Sequence, residues 1–288
     1  MKSLSIAFLI CFIFGVSNFT DAHEKEKFSK YHDIGFSIGG AFYNGDLNPY
    51  KVIDFDSPGF SAGFLYRLNF DRRNSLRFGA NYGFVYADDA TNTDNPFQRQ
   101  RGLNFQTNIF EVNSIYEFNF FPYEMGYGSY PATPYIFGGI GGYFFNPIGI
   151  YGKDKFVLHD YSTEGQGVKT NDSKQYNRVQ LCLPFGVGVK ANLGSKIGVQ
   201  IEWGMRKLFT DYLDDVSTKY PSYKFLKDEV GVDAAALSKG IDFNKPKNII
   251  GNVGRMRGNS KNNDWYSFIG ISFTYKISFG AKCPSFNG

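Results

Sequence analysis

Cysteine is scarce, with Cys11, Cys182 and Cys283 the only three in 288 residues. That is no disulfide framework, and nothing in the wide spacing of Cys182 and Cys283 supports a bridge between them. Histidine is equally scarce, at His23, His32 and His159. With so few of both, no zinc spacing arises. No phosphate loop or dinucleotide fingerprint appears, so no cofactor is expected. Neither sign of charge dominates: 31 Lys and Arg face 27 Asp and Glu, a net charge of +4. The charges are scattered, which excludes nucleic acid as a partner class. Long apolar runs are also missing past the N-terminus. The longest, Leu181 to Val189, is far short of the roughly 20 residues of a spanning helix. The mean hydropathy of −0.30 agrees.

What is abundant is glycine and two aromatics: Gly 33, Phe 31 and Tyr 20. Phe and Tyr favour strands, and glycine permits tight turns and close backbone approach. Apolar residues at 42% can bury a sizeable core, and charged residues at 20% do not indicate disorder. The length is about two average domains or one large all-β unit.

Residues 1–22 read as a secretory signal: Lys2 is the positive region and Leu4 to Val16 the apolar one. Cleavage after Ser17 or after Ala22 fits equally well. Cys11 lies within the apolar stretch without small residues before it, so this is not a lipoprotein signal.

From Asp33 onward the dominant period is two. Eight segments alternate: Ile34 to Phe42, Phe60 to Phe70, Leu76 to Tyr86, Phe110 to Phe120, Tyr135 to Asn146, Val179 to Val189, Ile197 to Met205, and Ile269 to Phe279. The fifth is so rich in glycine that its faces are ambiguous. Each is long enough for the roughly 9–11 residues of a membrane-crossing strand. Long and short connections alternate: loops near 44–58, 87–103, 147–177 and 209–264 against turns near 71–74, 122–133 and 193–196. Outer-membrane barrels are built this way, with long surface loops and short periplasmic turns. The expectation is therefore an all-β, eight-stranded antiparallel up-and-down outer-membrane barrel over residues 33–281. A periplasmic segment (23–32) precedes it and a periplasmic tail (282–288) follows.

One strand face is apolar and aromatic. The other carries Arg77, Glu111, Glu117, Lys190, Glu202 and Arg206 among glycines. A soluble barrel keeps an apolar interior. In a membrane the apolar face meets lipid and the charges pair inside. Aromatic girdles are expected at both rims, from Phe42, Phe60, Tyr86, Phe209 and Trp265 on the surface side and Phe70, Phe118, Phe120 and Phe279 on the periplasmic side. Eight strands leave an interior that side chains fill, so the six charges are expected to form a structural plug of ion pairs.

Chemistry-bearing constellations are few. His159 adjoins Asp160 with Ser162 nearby, but neighbours in one loop rarely form a triad and no nucleophile motif accompanies them. No catalytic residue is expected. Asp211, Asp214 and Asp215 cluster where the longest loop begins, without the spacing of a calcium loop. The plain reading is a solvated loop with local Asp–backbone bonds, and no metal. Ser162 to Gly167 follows no strand-to-helix pattern, so it is no phosphate site. Asp228 to Lys239 is either a short helix over the barrel mouth or a mobile surface loop.

Several stretches read together: Gly39-Gly40-Ala41-Phe42-Tyr43-Asn44-Gly45-Asp46-Leu47, Glu117 to Tyr123, Pro134 to Gly142, Thr163-Glu164-Gly165-Gln166-Gly167, Leu183 to Gly186, Glu202 to Arg206, Thr210-Asp211-Tyr212-Leu213-Asp214-Asp215-Val216-Ser217, Arg257 to Ser260, and Asn262 to Tyr266. In these the chain resembles the PorG-like outer-membrane barrels of the type IX secretion system of Bacteroidetes. The resemblance spans nearly the whole mature chain, and its most specific part is Thr210 to Ser217. It implies a structural role in protein transport, beside a periplasmic ring of the lipoprotein PorK and its partner PorN. In gliding species the same system also exports adhesins. The ring contacts would lie on the periplasmic turn with Pro122, Tyr123, Tyr127 and Tyr130, on the N-terminal segment and on the tail. Lipid is the other expected partner. One tension stands: Asp211, Tyr212, Asp214 and Asp215, in the most specific stretch, fall on the surface side. They would fold over the mouth or contact another surface component. A surface adhesion barrel acting through its long loops is the alternative, and an outer-membrane enzyme using His159 a third.

Overall fold

The computed structural model describes residues 28–55, 57–91, 96–171, 173–239 and 253–277. The signal, Cys11, Cys283, Phe279 and the tail lie outside the described residues. Eight long strands form the wall: β1 (Tyr31–Asn44), β2 (Gly59–Asn69), β3 (Asn74–Asp88), β4 (Asn104–Asn119), β5 (Ala132–Phe145), β8 (Val179–Asn192), β9 (Ile197–Leu208) and β10 (Trp265–Ile277). Each pairs antiparallel with its neighbours in the chain. Pairing of β1 with β10 and of β3 with both β2 and β4 closes the barrel without an edge. The strand β1 begins at Tyr31, two residues before the expected start.

Two short strands, β6 (Ile148–Tyr151) and β7 (Asp154–Val157), stand outside the barrel. They were not expected. The strand β4 runs past the rim and leaves an open edge, which this hairpin covers through Asn104: its amide donates to the Ile150 carbonyl at 2.8 Å and its side-chain oxygen accepts the Ile150 N–H at 2.7 Å.

The period-two alternation sets what faces where. Phe36, Phe64 and Val112 point outward, 51%, 74% and 65% exposed, while Asp33, Arg67 and Glu117 point inward and are almost fully buried. This inverts a soluble protein. An apolar outer wall over a charged interior is stable only in lipid. The protein is an outer-membrane β-barrel. No helix among the described residues is long and apolar enough to cross a membrane.

The faces of β5 are now resolved: Tyr135 and Phe137 point in, Ile136 and Ile140 out. Inward glycines opposite make room for them. A Cβ on Gly188 would lie 2.6 Å from the Tyr135 ring, and one on Gly186 2.6 Å from Phe137.

The main apolar core sits at the surface mouth. Tyr43, Phe105, Phe145, Leu208, Leu213 and Leu237 belong to it, packed beneath the long loops. Three short helices lie in those loops: α1 (Pro96–Arg101), α2 (Tyr223–Glu229) and α3 (Val232–Leu237). Ser222 caps α2 by accepting the Phe225 N–H. Ala234, Ala235, Ala236 and Leu237 of α3 are buried, so this stretch is a packed helix over the mouth.

Candidate functional site

Three closures occupy the barrel axis. The first is the lumen network. Glu117 is met by Arg67 at 2.9 Å, by Arg77 at 3.1 Å and by Lys190. Arg77 forks onto Glu202 at 2.6 and 3.1 Å, and the Tyr135 hydroxyl donates to the same carboxylate. Arg67 also reaches Asp33 at 3.0 Å. Nearer the surface, Glu111 takes Arg206 at 3.0 Å and the Tyr266 hydroxyl at 2.6 Å. All six expected charges are in contact with a partner of opposite sign. Asp33 and Arg67 complete the set, giving four acids and four cations. Both alternate in register with the six and were legible from the same period. A small cavity lined by Ser37, Asn81, Asn113, Ile115 and Phe268 lies beside Arg77, Glu202 and Arg206.

The second closure is the periplasmic turn, 120–131. Tyr123 and Met125 are 4% and 1% exposed, because they fill the periplasmic mouth. The Met125 N–H donates to Tyr31 Oη at 3.2 Å, and Lys276 Nζ donates to the Met125 carbonyl at 2.9 Å. Arg72 holds the turn from below, bonding Glu124 at 2.9 Å and lying 4.7 Å over the Tyr130 ring. Tyr127 stacks on Tyr130. Of the four residues expected to face a partner, Tyr123 is therefore committed to the barrel. Pro122, Tyr127 and Tyr130 are half-buried. The exposed positions are Phe120, Phe121, Gly126, Gly128, Ser129 and Pro131.

The third closure is an outer cap built from the long loops. Arg257 is its centre. Its Nη1 donates to Glu164 Oε1 at 2.9 Å and to the Asp215 carbonyl, and its Nε donates to the Ser238 carbonyl at 3.1 Å, tying down the end of α3. Glu164 also accepts the Ser217 and Thr218 N–H groups, each at 2.9 Å. Asp215, at φ +64°, accepts from Tyr176 at 2.9 Å and from Thr163. Tyr43 donates to Asp214. The Leu213 N–H reaches Asp264 at 2.9 Å, and Asn259 N–H reaches Asp46. Arg101 grips Asp89 through two nitrogens, at 2.6 and 2.8 Å.

The expected solvated loop at Asp211, Asp214 and Asp215 is corrected by this packing. All three are buried, and Tyr212 is half-buried and stacked on Tyr176. The motif bends back over the mouth because its backbone N–H groups need carboxylate partners there. Glu164 and Arg257 were not singled out for chemistry. Their only signal was membership in the recurring stretches.

Burial dominates the electrostatics of the cap. It pushes Asp211 up to about 9, helped by Asp46 and Asp214, with Ser217 opposing. It raises Asp215 to about 6 against Arg257, and Asp46 to about 6 against the Asn259 N–H. Asp214 and Asp264 lie well above the usual carboxylate range, through burial first and neighbouring acids next. As the side chains stand, no group of three or more His, Cys, Asp or Glu among the described residues is set to hold a metal.

His159 bonds Asp160 and the Tyr176 carbonyl, each at 3.2 Å, and packs edge-on against Tyr176. The Tyr176 hydroxyl is taken by Asp215. These contacts hold the loop, and among the described residues they bring no nucleophile to the imidazole. Cys182 is a buried free thiol.

A family model described as a domain of unknown function, DUF6089, matches residues 9–231. The chain belongs to this family. The match takes in Glu164 and the Asp211–Asp215 motif and stops short of Arg257 and Asp264. No curated protein matches the sequence. Among solved structures, the Neisserial surface protein A is similar at 10% identity and a TM-score of 0.37, over 86% of this chain and 97% of that one. Ail, the attachment invasion locus protein of Yersinia pestis, is similar at 9% and 0.38, over 86% and 97%. A major outer membrane protein of Thermus thermophilus is similar at 12% and 0.35, over 87% and 100%. Such scores carry no argument about function. The barrel reading rests on the strand pairing and the inverted faces.

Proposed function

We propose that this outer-membrane barrel is a structural component of the type IX secretion machinery, positioning a PorK/PorN-type periplasmic ring. The observation that supports the reading is the closure of the barrel along its axis. Paired charges cross the lumen, a turn fills the periplasmic mouth, and loops cover the surface mouth. A barrel filled this way works as an anchor and acts through its outer surfaces. The stretches on which the resemblance rests also supply most of the cap: Asp46, Glu164, Asp211 to Ser217, Arg257 and Asp264. That gives those residue types a scaffold role.

The contact surface of this reading shifts from the buried Tyr123 to the exposed periplasmic rim, at Arg73, Gly128, Ser129 and Leu193 to Lys196. The test is a C-terminal tag, mild detergent extraction of native outer membranes and identification of what co-purifies. Recovery of the ring supports the proposal, and Ser129→Glu with Lys196→Glu should then release it while the barrel still inserts. A lone barrel, with secretion intact in a deletion strain, overturns it. Lost surface attachment in that strain would then favour adhesion.

A further inference from the structure

The wall meets lipid through its outward-facing side chains, and at the surface rim one of these is covered by the protein itself. Phe42 points outward on β1 yet is only 4% exposed. Its ring lies down the wall over Gly40, where a Cβ would come within 3.1 Å of it. Gly40 pairs with Phe60 of β2, and Phe60 with Phe84 of β3. The Phe42 ring is therefore level with the outward aromatics of the surface girdle, the depth at which a barrel passes from lipid to water.

What covers Phe42 is the first loop. Phe55 packs edge-on against it, with ring centroids 5.6 Å apart. The base of the loop is fixed to the rim. The Asn48 side-chain amide donates to the Tyr43 and Lys51 carbonyls, each at 3.1 Å, and the Asn44 amide donates to the Asn48 carbonyl at 2.9 Å. Leu47 is buried in the core at the mouth. From this base the chain returns to the outside of the wall at Phe55 rather than rising from the cap.

The tip, residues 50–55, presents Tyr50, Val52 and Phe55 at 69%, 43% and 74% exposure, and Phe55 is as exposed as Phe64 in the lipid-facing wall. In water these three would form an apolar surface with nothing to cover it. Two charges of the tip, Lys51 and Asp54, pair with each other at 3.3 Å. A cavity lined by Phe42, Tyr50, Lys51, Tyr86 and Thr91 lies beside them. Apolar side chains next to tyrosines and a long lysine make up the composition of a membrane interface.

We propose that the tip of the first loop is embedded in the outer leaflet through Tyr50, Val52 and Phe55. The occupant of this patch is lipid, because the Phe42–Phe55 contact makes the patch continuous with a wall that lipid already covers. The cap is thereby tied to the membrane on its β1–β2 side. The inference does not depend on the secretion reading.

The experiment uses the full barrel in phosphatidylcholine bicelles, which leave both faces open to reagents. A nitroxide spin label is placed at Phe55→Cys, and separately at Tyr50→Cys, in a Cys283→Ser background, since Cys182 is buried. Collisions of each label with oxygen, which concentrates in lipid, and with a water-soluble nickel chelate are measured. Labels at Phe64→Cys in the wall and at Lys227→Cys on the cap give the lipid and water references. The expected result is a loss of nickel collisions and a gain of oxygen collisions relative to Lys227→Cys, approaching the values at Phe64→Cys. Tyr50→Cys keeps the Phe55 ring, so it reports the loop with its wall contact intact. Heat-modified electrophoretic mobility reports whether each variant still forms a barrel, and either loop label carries the test should the other variant fail. Loop labels that collide like Lys227→Cys overturn the proposal. Loss of both kinds of collision with spin–spin broadening between molecules also overturns it, and assigns the patch to a second copy of this chain.

Discussion

The lumen and the cap are both buried and both charged, yet they solve the cost of burial differently. In the lumen each charge meets its opposite directly: Glu117 sits between Arg67, Arg77 and Lys190, and Glu111 meets Arg206. Four acids balance four cations, and the donors are side chains on rigid strands. In the cap, acids outnumber cations and much of the satisfaction comes from loop N–H groups, at Ser217, Thr218, Val216 and Leu213. The comparison teaches that a strand wall can pair charges by register alone. Loops instead need carboxylates to gather their own unpaired backbone donors. The lumen pairs its charges, whereas the cap's acids outnumber its cations and burial raises Asp211, Asp214 and Asp264 well above the usual carboxylate range.

Four changes would sharpen or break this contrast. The largest effect belongs to Glu117→Gln, which takes the shared carboxylate from Arg67, Arg77 and Lys190 and deprives Lys190 of its ion-pair partner. A loss of about 3–5 kcal/mol is expected, seen as a lower urea midpoint of the barrel in lipid vesicles. An unchanged midpoint would mean that lumen charges are not mutually dependent. Next is Arg257→Met, which strands Glu164 and Asp215 and frees the end of α3. About 3 kcal/mol should be lost locally. Hydrogen exchange should rise over 209–239 while the wall strands keep their protection. Exchange rising equally in the wall would show cap and barrel to be one cooperative unit.

The third is a double-mutant cycle on Glu111 and Arg206. Glu111→Gln or Arg206→Met alone should cost about 2–3 kcal/mol, and the pair together should cost less than their sum. Strict additivity would break the picture of direct pairing. The smallest effect is at the periplasmic end. Gly126 lies at φ +86°, and a Cβ there would meet Ser195 O at 2.2 Å. Gly126→Ala should cost about 1 kcal/mol or somewhat more, loosening the turn without opening the lumen. Protease sensitivity limited to 120–131 would confirm that confinement.

The two regions also differ in how far the chain betrayed them. The wall was legible because a period of two is local: Asp33, Arg67, Arg77 and Glu117 each sit one place away from an outward-facing residue. The hairpin of β6 and β7 was not legible, because its reason is an edge left open by β4 far from it in sequence. The faces of β5 needed the opposing glycines of β8 before they could be read. The burial of Tyr123 was missed because a turn rich in tyrosine looks like a contact surface until the mouth it fills is in view.

By itself the sequence determined the eight-stranded wall, its inverted faces and the identity of the lumen charges, because backbone geometry repeats every two residues and lipid sets the sign of each face. Only the tertiary structure decided what the long loops do. Arg257 reaches Glu164 across 93 positions, and Asp46 reaches Asn259 across 213. Contacts between distant segments leave no period in a sequence. They exist only once the closed barrel has brought its four loops over one mouth.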